Sequence, residues 1–447
     1  MDRRAFLKTS GAIAIGAAAG SCLPREQSPA VEGDGEMAYR TNPATGDKIG
    51  LLGFGCMRWP MIKQEDGTER IDQEAVNEMV DYALAHGVNY FDTSPAYLQG
   101  QSELAAGVAL SRHPRESYYI ATKLSNFEGH SREEAIEMYN ESFRLLQTPY
   151  IDYYLLHAIG MGGVDAFNER YIDNGMLDFL REEKAAGRIR NLGFSFHGKQ
   201  EAFDYFMSLH DSGEMRWDFV QIEMNYKDWR HADGVRNVNA EYLYAELDKR
   251  EIPIVIMEPL LGGRLAKVPA GISRQMKERE PDLSIASWAF RFCGTYPRIL
   301  CILSGMTSMD PLLDNLKTFT GFVPLNREEL DFLEQMAIQM AEFPLVNCTG
   351  CKYCMPCKWG IDIPGIFKHY NSSVTDGNFA RSREQKDYQK LKKAYLVSYD
   401  RAIPTVRQAD HCIGCGACVR HCPQSIPIPS QLRRIANYIE NLKQDKL

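Results

Sequence analysis

Short runs of apolar, β-branched or aromatic residues alternate with amphipathic stretches along most of this chain. The runs fall at 49–55, 88–93, 118–123, 151–157, 189–195, 219–225, 252–258 and 300–304, each of strand length and bounded by polar residues. Between them, 73–86, 132–146, 175–186 and 240–250 repeat apolar residues every three to four positions, the period of a helix with one buried face. Gly87 and Gly187 follow two of these stretches, where a helix end favours a left-handed residue. Strict alternation of strand and helix predicts a parallel sheet, and eight units predict an α/β fold of the closed (β/α)8 or TIM-barrel type. The competing open, doubly wound sheet lacks its fingerprint: Gly53-Phe54-Gly55-Cys56-Met57-Arg58 has neither the third glycine nor the helix that should follow.

The pattern divides the chain into a barrel over 39–325, a Glu-, Leu- and Met-rich connecting helix over 326–343, and a cysteine-rich domain over 344–447. Within that last part a polar stretch, 371–390, is expected to separate two cysteine groups and to lead into a helix ending near Leu396. Ahead of the barrel, 23–38 is polar and bears Glu, Gly and Pro, the composition of a tether. Residues 1–22 begin Met1-Asp2-Arg3-Arg4-Ala5-Phe6-Leu7-Lys8, continue with a soft Ala/Gly-rich run, and resemble a twin-arginine export signal. The apolar run is too short to span a bilayer. Cys22, after Ala19-Gly20-Ser21, stands where a lipoprotein signal is cut and acylated, so both simple cleavage and a lipid anchor remain open. The expected location is periplasmic or membrane-anchored at the cell envelope.

Charge changes this picture by exclusion. A formal net charge of −8 with no long basic run gives no footprint for nucleic acid as a partner. Hydrophobic residues at 44% and charged residues at 25% allow a core without disulfides. That frees the twelve cysteines for other work, and eight of them crowd between Cys348 and Cys422.

Barrel enzymes place their chemistry at the C-terminal ends of strands. Those ends carry Asp92, with Tyr97 shortly after, then Lys123 and His157. Together these four residue types can reduce a carbonyl. Hydride addition at carbon leaves negative charge on oxygen, and an acid must deliver a proton there. Tyr97 can do so, but its ordinary pKa of about 10 makes the departing tyrosinate costly. An ammonium at about 4 Å, with an effective dielectric of about 20, offsets this by roughly 4 kcal/mol. Asp92 would hold Lys123, and His157 would orient the substrate oxygen.

Phe91-Asp92-Thr93-Ser94-Pro95-Ala96-Tyr97, Ala121-Thr122-Lys123 and Leu155-Leu156-His157 resemble the aspartate, tyrosine, lysine and histidine motifs of the aldo/keto reductases, a likeness covering roughly 49–319. The resemblance implies a nicotinamide dinucleotide, NADP or NAD. Ser195, in Gly193-Phe194-Ser195, and Gln221 resemble that family's carboxamide-binding positions. Leu260 and Gly262, in Pro259-Leu260-Leu261-Gly262-Gly263, together with Ser304, Gly305 and Asn315, resemble its pyrophosphate and adenosine segments. Three positions depart from the pattern. Phe196 stands in place of an asparagine; Met257 or Glu258 stands where an aromatic would stack on the nicotinamide; and Met306-Thr307-Ser308-Met309-Asp310 offers no Lys or Arg for a 2′-phosphate.

The run Cys412-x2-Cys415-x2-Cys418-x3-Cys422-Pro423 is that of bacterial ferredoxins and predicts a small ferredoxin-like 4Fe–4S domain. Cys348, Cys351, Cys354 and Cys357 form a second run, one residue shorter and without the proline. In two-cluster ferredoxins the fourth cysteine of each run serves the other cluster. The expected sets are therefore Cys348, Cys351, Cys354 and Cys422 for one [4Fe–4S] cluster, and Cys412, Cys415, Cys418 and Cys357 for the other. The short first run leaves a single intact cluster open, and zinc is the rival metal, although structural zinc prefers separated C-x2-C pairs. Cys56, Cys293 and Cys301 lie in apolar runs as core fillers.

Long segments after 157 and at 226–239 are expected over the barrel mouth, as lids or as tolerated insertions; His197, Trp229 and His231 are expected as ordinary packing or solvent-facing residues, with pocket lining as the alternative. Three activities fit these features. One is a nicotinamide-dependent oxidoreductase of a small carbonyl or alcohol, with a structural or regulatory cluster domain. Another is a reductase fed through the clusters by a redox protein or membrane donor. The last is an electron-carrying scaffold, which the complete Asp92/Tyr97/Lys123/His157 set argues against. Nicotinamide carries an electron pair and each cluster a single electron, and no flavin motif is visible to split the pair.

Overall fold

In the computed structural model, residues 35–65, 67–127, 131–232 and 238–447 are described. The segment resembling an export signal and Cys22 lie outside the described residues, as does the expected tether up to 34. The alternation closes as expected. The eight barrel strands, numbered in chain order, are β1 (Leu52–Gly55), β2 (Tyr90–Asp92), β3 (Tyr119–Leu124), β4 (Ile151–Ile159), β5 (Ile189–Phe196), β6 (Val220–Glu223), β7 (Ile254–Met257) and β8 (Ile299–Ser304). Each pairs in parallel with the next, and β8 pairs back with β1. Tyr90, Ala121, Tyr153, Leu155, Phe219 and Val255 fill the interior.

Residues 49 and 50, expected at the start of the first strand, belong instead to an antiparallel hairpin, Tyr39–Thr41 with Lys48–Gly50. The hairpin plugs the barrel floor. Asn42 Nδ2 donates to the Tyr153 hydroxyl at 3.1 Å, and that hydroxyl donates to Asp47 Oδ2 at 2.8 Å. A strand running on from 49 to 55 would leave the Tyr153 hydroxyl unsatisfied inside the barrel.

The helices follow their local chemistry. Arg132–Leu146 and Arg327–Ala341 each begin with a capping box, Ser131 with Glu134 and Asn326 with Glu329. Gly87 and Gly187 take positive φ, 87° and 79°, one residue beyond their helices' caps. Arg327–Ala341 does more than connect: Phe332 packs on Trp288 at 5.4 Å and Glu329 pairs with Arg291 at 2.8 Å, so the helix joins the barrel's outer layer.

The cysteine-rich domain is helical. Ile363–Thr375, Tyr388–Ala402 and Ile428–Lys443 pack around Ile366, Phe367, Tyr370, Tyr395, Leu432 and Ile435. The stretch 371–390 is thus not a plain spacer: its first part continues a helix that starts at Ile363, and the following helix runs past Leu396 to Ala402. Barrel and cysteine-rich domain form one compact unit. Lys267 pairs with Asp376 at 2.8 Å, Arg264 Nη1 donates to Asn347 Oδ1 at 2.9 Å, and Gln424 Nε2 donates to Glu223 Oε2 at 2.7 Å.

One buried carboxyl sits behind the barrel wall. Glu103 accepts from Thr122 Oγ1 at 2.5 Å, and burial pushes its pKa up to about 7. Its folded pKa exceeds its unfolded one, so folding favours the protonated form, and the ionised form burdens the fold as pH rises through about 7. Glu103→Gln should therefore stabilise the protein by up to about 3 kcal/mol at pH 8 and by almost nothing near pH 4. Denaturant unfolding at the two pH values checks this.

Candidate active site and cysteine centre

The four expected residues meet at the C-terminal mouth of the barrel. Asp92 ends β2, Lys123 lies near the end of β3, and His157 lies near the end of β4. The register sets Asp92 beside Ala121, and Lys123 beside Leu155, so neighbouring strands deliver all three to one level. Tyr97 begins a short turn, Tyr97–Gly100, after β2. Lys123 Nζ donates to Asp92 Oδ1 at 2.5 Å and to the Thr93 carbonyl at 2.9 Å. It also lies 5.0 Å from the centre of the Tyr97 ring, whose edge-on partner is His157 at 6.0 Å.

Burial sets the proton states. It lowers the Lys123 pKa, with Asp92 acting in the opposite sense. It raises that of Tyr97 well above the usual value, and Asp92 adds to the rise. His157 is held well below its ordinary value by burial, and next by the charges of Lys123 and Arg170. Its Nδ1 lies 2.6 Å from Ser125 Oγ and 3.2 Å from Ser94 Oγ. With Ser125 donating to Nδ1, the neutral ring carries its hydrogen on Nε2. Arg170 fixes the ring's backbone, donating to the His157 carbonyl at 2.7 Å.

Asp92, Tyr97 and His157 line a cavity of about 320 Å³, with Lys123 buried behind them. Ser195, Gln221, Leu260, Gly262, Ser304 and Gly305 line the same cavity. Asn315 does not, but its Nδ2 donates to Ser304 Oγ at 2.9 Å. Several of these groups already have partners within the protein. Gln221 Nε2 donates to Asp92 Oδ2 at 2.9 Å, Ser195 Oγ accepts from the Ala158 amide at 2.8 Å, and the Gly262 amide donates to Glu258 Oε2 at 2.6 Å. Ala158 and Glu258 hold positive φ of 51° and 54°, backbone strain of the kind that gathers at functional sites.

Arg58, Tyr353 and Gln424 also line the cavity without a role given by the sequence, and Glu258 lines it with them. Arg58 lies across Gly305, where an added Cβ would stand 3.0 Å from its Cδ, and its guanidinium donates to the Thr349 carbonyl. Its signal was its place just beyond the end of β1. Glu258 is a half-buried carboxyl whose pKa is raised by desolvation, with Arg58 opposing. Tyr353 and Gln424 come from the cysteine-rich domain, and Cys351, a predicted ligand, stands with them in the cavity wall. Tyr353 faces His157 at 6.2 Å and Phe127 at 6.0 Å. His197 also lines the cavity, whereas Trp229 packs on Tyr296 at 4.5 Å, and His231 lies 2.7 Å from Glu334.

The eight clustered cysteines are all free thiols. Cys348, Cys351 and Cys354 lie within electrostatic reach of Cys422, and Cys418 within reach of Cys412, Cys415 and Cys357. Cys354 also lies within reach of Cys418, so the two groups of thiols adjoin. The second set surrounds a cavity of about 230 Å³, which Cys354 of the first set also touches. Among the described residues no three His, Cys, Asp or Glu side chains converge as a single-ion site requires. Four thiols around an open space suit a larger inorganic group.

The model of the aldo/keto reductase family matches residues 51–338, and that of a 4Fe–4S dicluster domain matches 347–426. The chain is 24% identical over 318 residues to L-galactose dehydrogenase of Arabidopsis thaliana, covering 66% of this chain and 92% of that protein. It is 31% identical over 142 residues to D-arabinose 1-dehydrogenase of Saccharomyces cerevisiae, covering 30% and 40%. Among solved structures, the holo form of a Bacillus halodurans aldo-keto reductase superposes with a TM-score of 0.54 at 22% identity, covering 67% of this chain and 96% of that one. A Klebsiella pneumoniae aldo-keto reductase in complex with NADPH gives 0.51 at 18% identity, covering 68% and 95%. This chain belongs to the aldo/keto reductase family, its barrel joined to a 4Fe–4S dicluster domain.

Proposed function

We propose that the chain interconverts a small carbonyl compound and its alcohol, with NADP or NAD held at the barrel mouth. The reading is carried by one observation: Asp92, Tyr97 and His157 share a single cavity with six residues of the nucleotide-type segments. Gly263, with open space beyond its Cα, and Arg58, a cation over Gly305, suit an anionic pyrophosphate there. When bound, the nucleotide would supply or accept the hydride. The remaining chemistry belongs to side chains. In reduction Tyr97 starts protonated and gives its proton to the substrate oxygen as charge develops. Lys123, held by Asp92, faces the anion that Tyr97 becomes. His157, neutral, offers a hydrogen bond to the same oxygen.

Cys348, Cys351, Cys354 and Cys422 would hold one [4Fe–4S] cluster, and Cys412, Cys415, Cys418 and Cys357 the other, supplying one-electron chemistry. A partner-fed reductase is the second reading, favoured by the placement of Cys351 and Tyr353 in the wall of the substrate cavity. The twin-arginine-like start supports work at the cell envelope, with a redox protein or membrane donor within reach and Cys22 as a candidate lipid site.

Tyr97→Phe should lower kcat for carbonyl reduction about 100- to 10,000-fold while leaving the visible cluster absorbance unchanged; undiminished turnover would refute its role as proton donor. The lowered pKa of Lys123 means its charge is lost earlier on raising the pH than for an ordinary lysine. Reduction should therefore decline on an alkaline limb centred below the ordinary lysine value, and a profile flat through that range would contradict the Lys123 assignment. An anaerobic titration with NADPH and NADH, following nucleotide fluorescence and the cluster band together, separates the two readings. Binding supports the nicotinamide reading, and bleaching of the band on binding joins barrel and clusters in one electron path. Failure of both nucleotides to bind leaves the partner-fed reductase.

A further inference from the structure

We infer that the face around Cys415 is a docking surface for an acidic one-electron carrier protein. The inference rests on the reading that the cysteines hold clusters, and it names the partner for them. Among the described residues Cys415 is the one exposed cysteine. Large apolar side chains are concentrated beside it. Trp359 and Ile413, 54% and 60% exposed, line the same cavity as Cys415, Cys412 and Cys357. Val406, 74% exposed, belongs to the adjoining turn, which is tied to the first cysteine loop by Arg407 Nε donating to the Gly360 carbonyl at 3.2 Å. Trp359 and Ile413 stand at the rim of one cysteine set and Val406 on the turn tied to it, apolar side chains that the protein's own core leaves uncovered.

Charge selects the occupant. Lys358 and Arg420 stand at the same cavity, Arg407 joins the loops, and the Arg433 guanidinium lies against Gly414. All four are exposed, and Asp410 is the exposed acid among these segments. The whole chain carries −8, whereas the side chains of this rim are cationic and offset the negative charge that a cluster held by four thiolates would bring. An acidic partner would be steered to it and repelled elsewhere. A small apolar centre within a charged rim matches the weak, brief encounters of electron-transfer proteins, whose interfaces sit at the small end of the range. A membrane surface would also attract cations and a tryptophan, but such contacts are usually made by an amphipathic helix. Trp359 and Ile413 lie instead on the two loops that carry the cysteines, and Val406 lies on a turn between them.

The test uses the full chain, reconstituted anaerobically with its iron counted, and a purified acidic [2Fe–2S] ferredoxin as the probe. Calorimetry at low ionic strength should give a micromolar-range Kd that weakens at least about tenfold when salt is raised to about 0.3 M. Lys358→Glu combined with Arg420→Glu should weaken binding by about tenfold or more at low salt, and Trp359→Ala several-fold. Val406→Glu, six residues from the nearest cysteine, should weaken it without touching the iron sites. Iron content and cluster absorbance of each variant accompany the measurement, and where the other variants lose iron, Val406→Glu decides. No binding at low salt, or binding indifferent to Val406→Glu, overturns the proposal. So does binding of phosphatidylglycerol vesicles, reduced by these variants, without binding of the ferredoxin; that result assigns the face to a membrane. A wild-type protein that takes up no iron defeats the cluster reading itself and is distinguished by the iron count.

Discussion

The buried pair of Lys123 and Asp92 is the constraint around which the barrel mouth is arranged. Removing two charges from water costs several kcal/mol per ion, and the pair recovers this only if every remaining polar site is met. Asp92 meets its share with Lys123 on one oxygen and Gln221 on the other, and Lys123 adds the Thr93 carbonyl. These contacts come from β2, β3 and β6, so the pair is satisfied only when strands distant in sequence are in register. Such a pair is weak evidence of stability, since an apolar replacement of equal volume often does as well. Its value lies in a fixed ammonium at the Tyr97 ring and a positive potential that adds to burial in holding down the His157 pKa. The proton chemistry and the closure of the barrel therefore depend on the same few contacts.

The barrel was legible because its period is local. Each strand is a short apolar run, each helix a three-to-four repeat, and the chemistry falls at strand ends that can be counted. The floor hairpin was not, because Ile49 and Gly50 carry on an apolar run without a break. What divides them from β1 is a plug for the Tyr153 hydroxyl, a partner about a hundred residues away. The helix Ile363–Thr375 was missed for the opposite reason. Pro364, Gly365 and Asn371-Ser372-Ser373 look like breakers, yet proline is suited to a first helical turn, and Asp362 caps it by accepting from the Gly365 amide at 3.1 Å. Ile363, Ile366, Phe367, Tyr370 and Val374 gave the true signal, a buried stripe at helical spacing.

In the site, the residues that local reasoning could not supply are those made significant by the second domain. Tyr353 and Gln424 sit inside or beside cysteine motifs, where spacing announces iron and says nothing of the barrel. Only the packing brings them to the cavity of Tyr97 and His157. Arg58 is similar: it follows β1 as any loop residue might, and the Thr349 carbonyl turns it across Gly305. A cation thus reaches Gly305 in space, supplied from the end of the neighbouring strand.

Gly262 shows how two demands can meet at one position. Its φ of +67° suits glycine, and an added Cβ would stand 2.4 Å from the Thr349 Cα. In the barrel alone, that glycine resembles part of a pyrophosphate loop. In the assembled chain it is also the point where the cysteine-rich domain touches the loop, and its amide is held by Glu258. A dinucleotide lying along this segment would share it with Thr349, so its outer wall would be cluster-domain backbone rather than solvent. The Arg58–Thr349, Arg264–Asn347, Gln424–Glu223 and Lys267–Asp376 contacts hold the two domains together around this loop. The shape of the cavity is therefore a property of the assembled chain and not of the barrel alone.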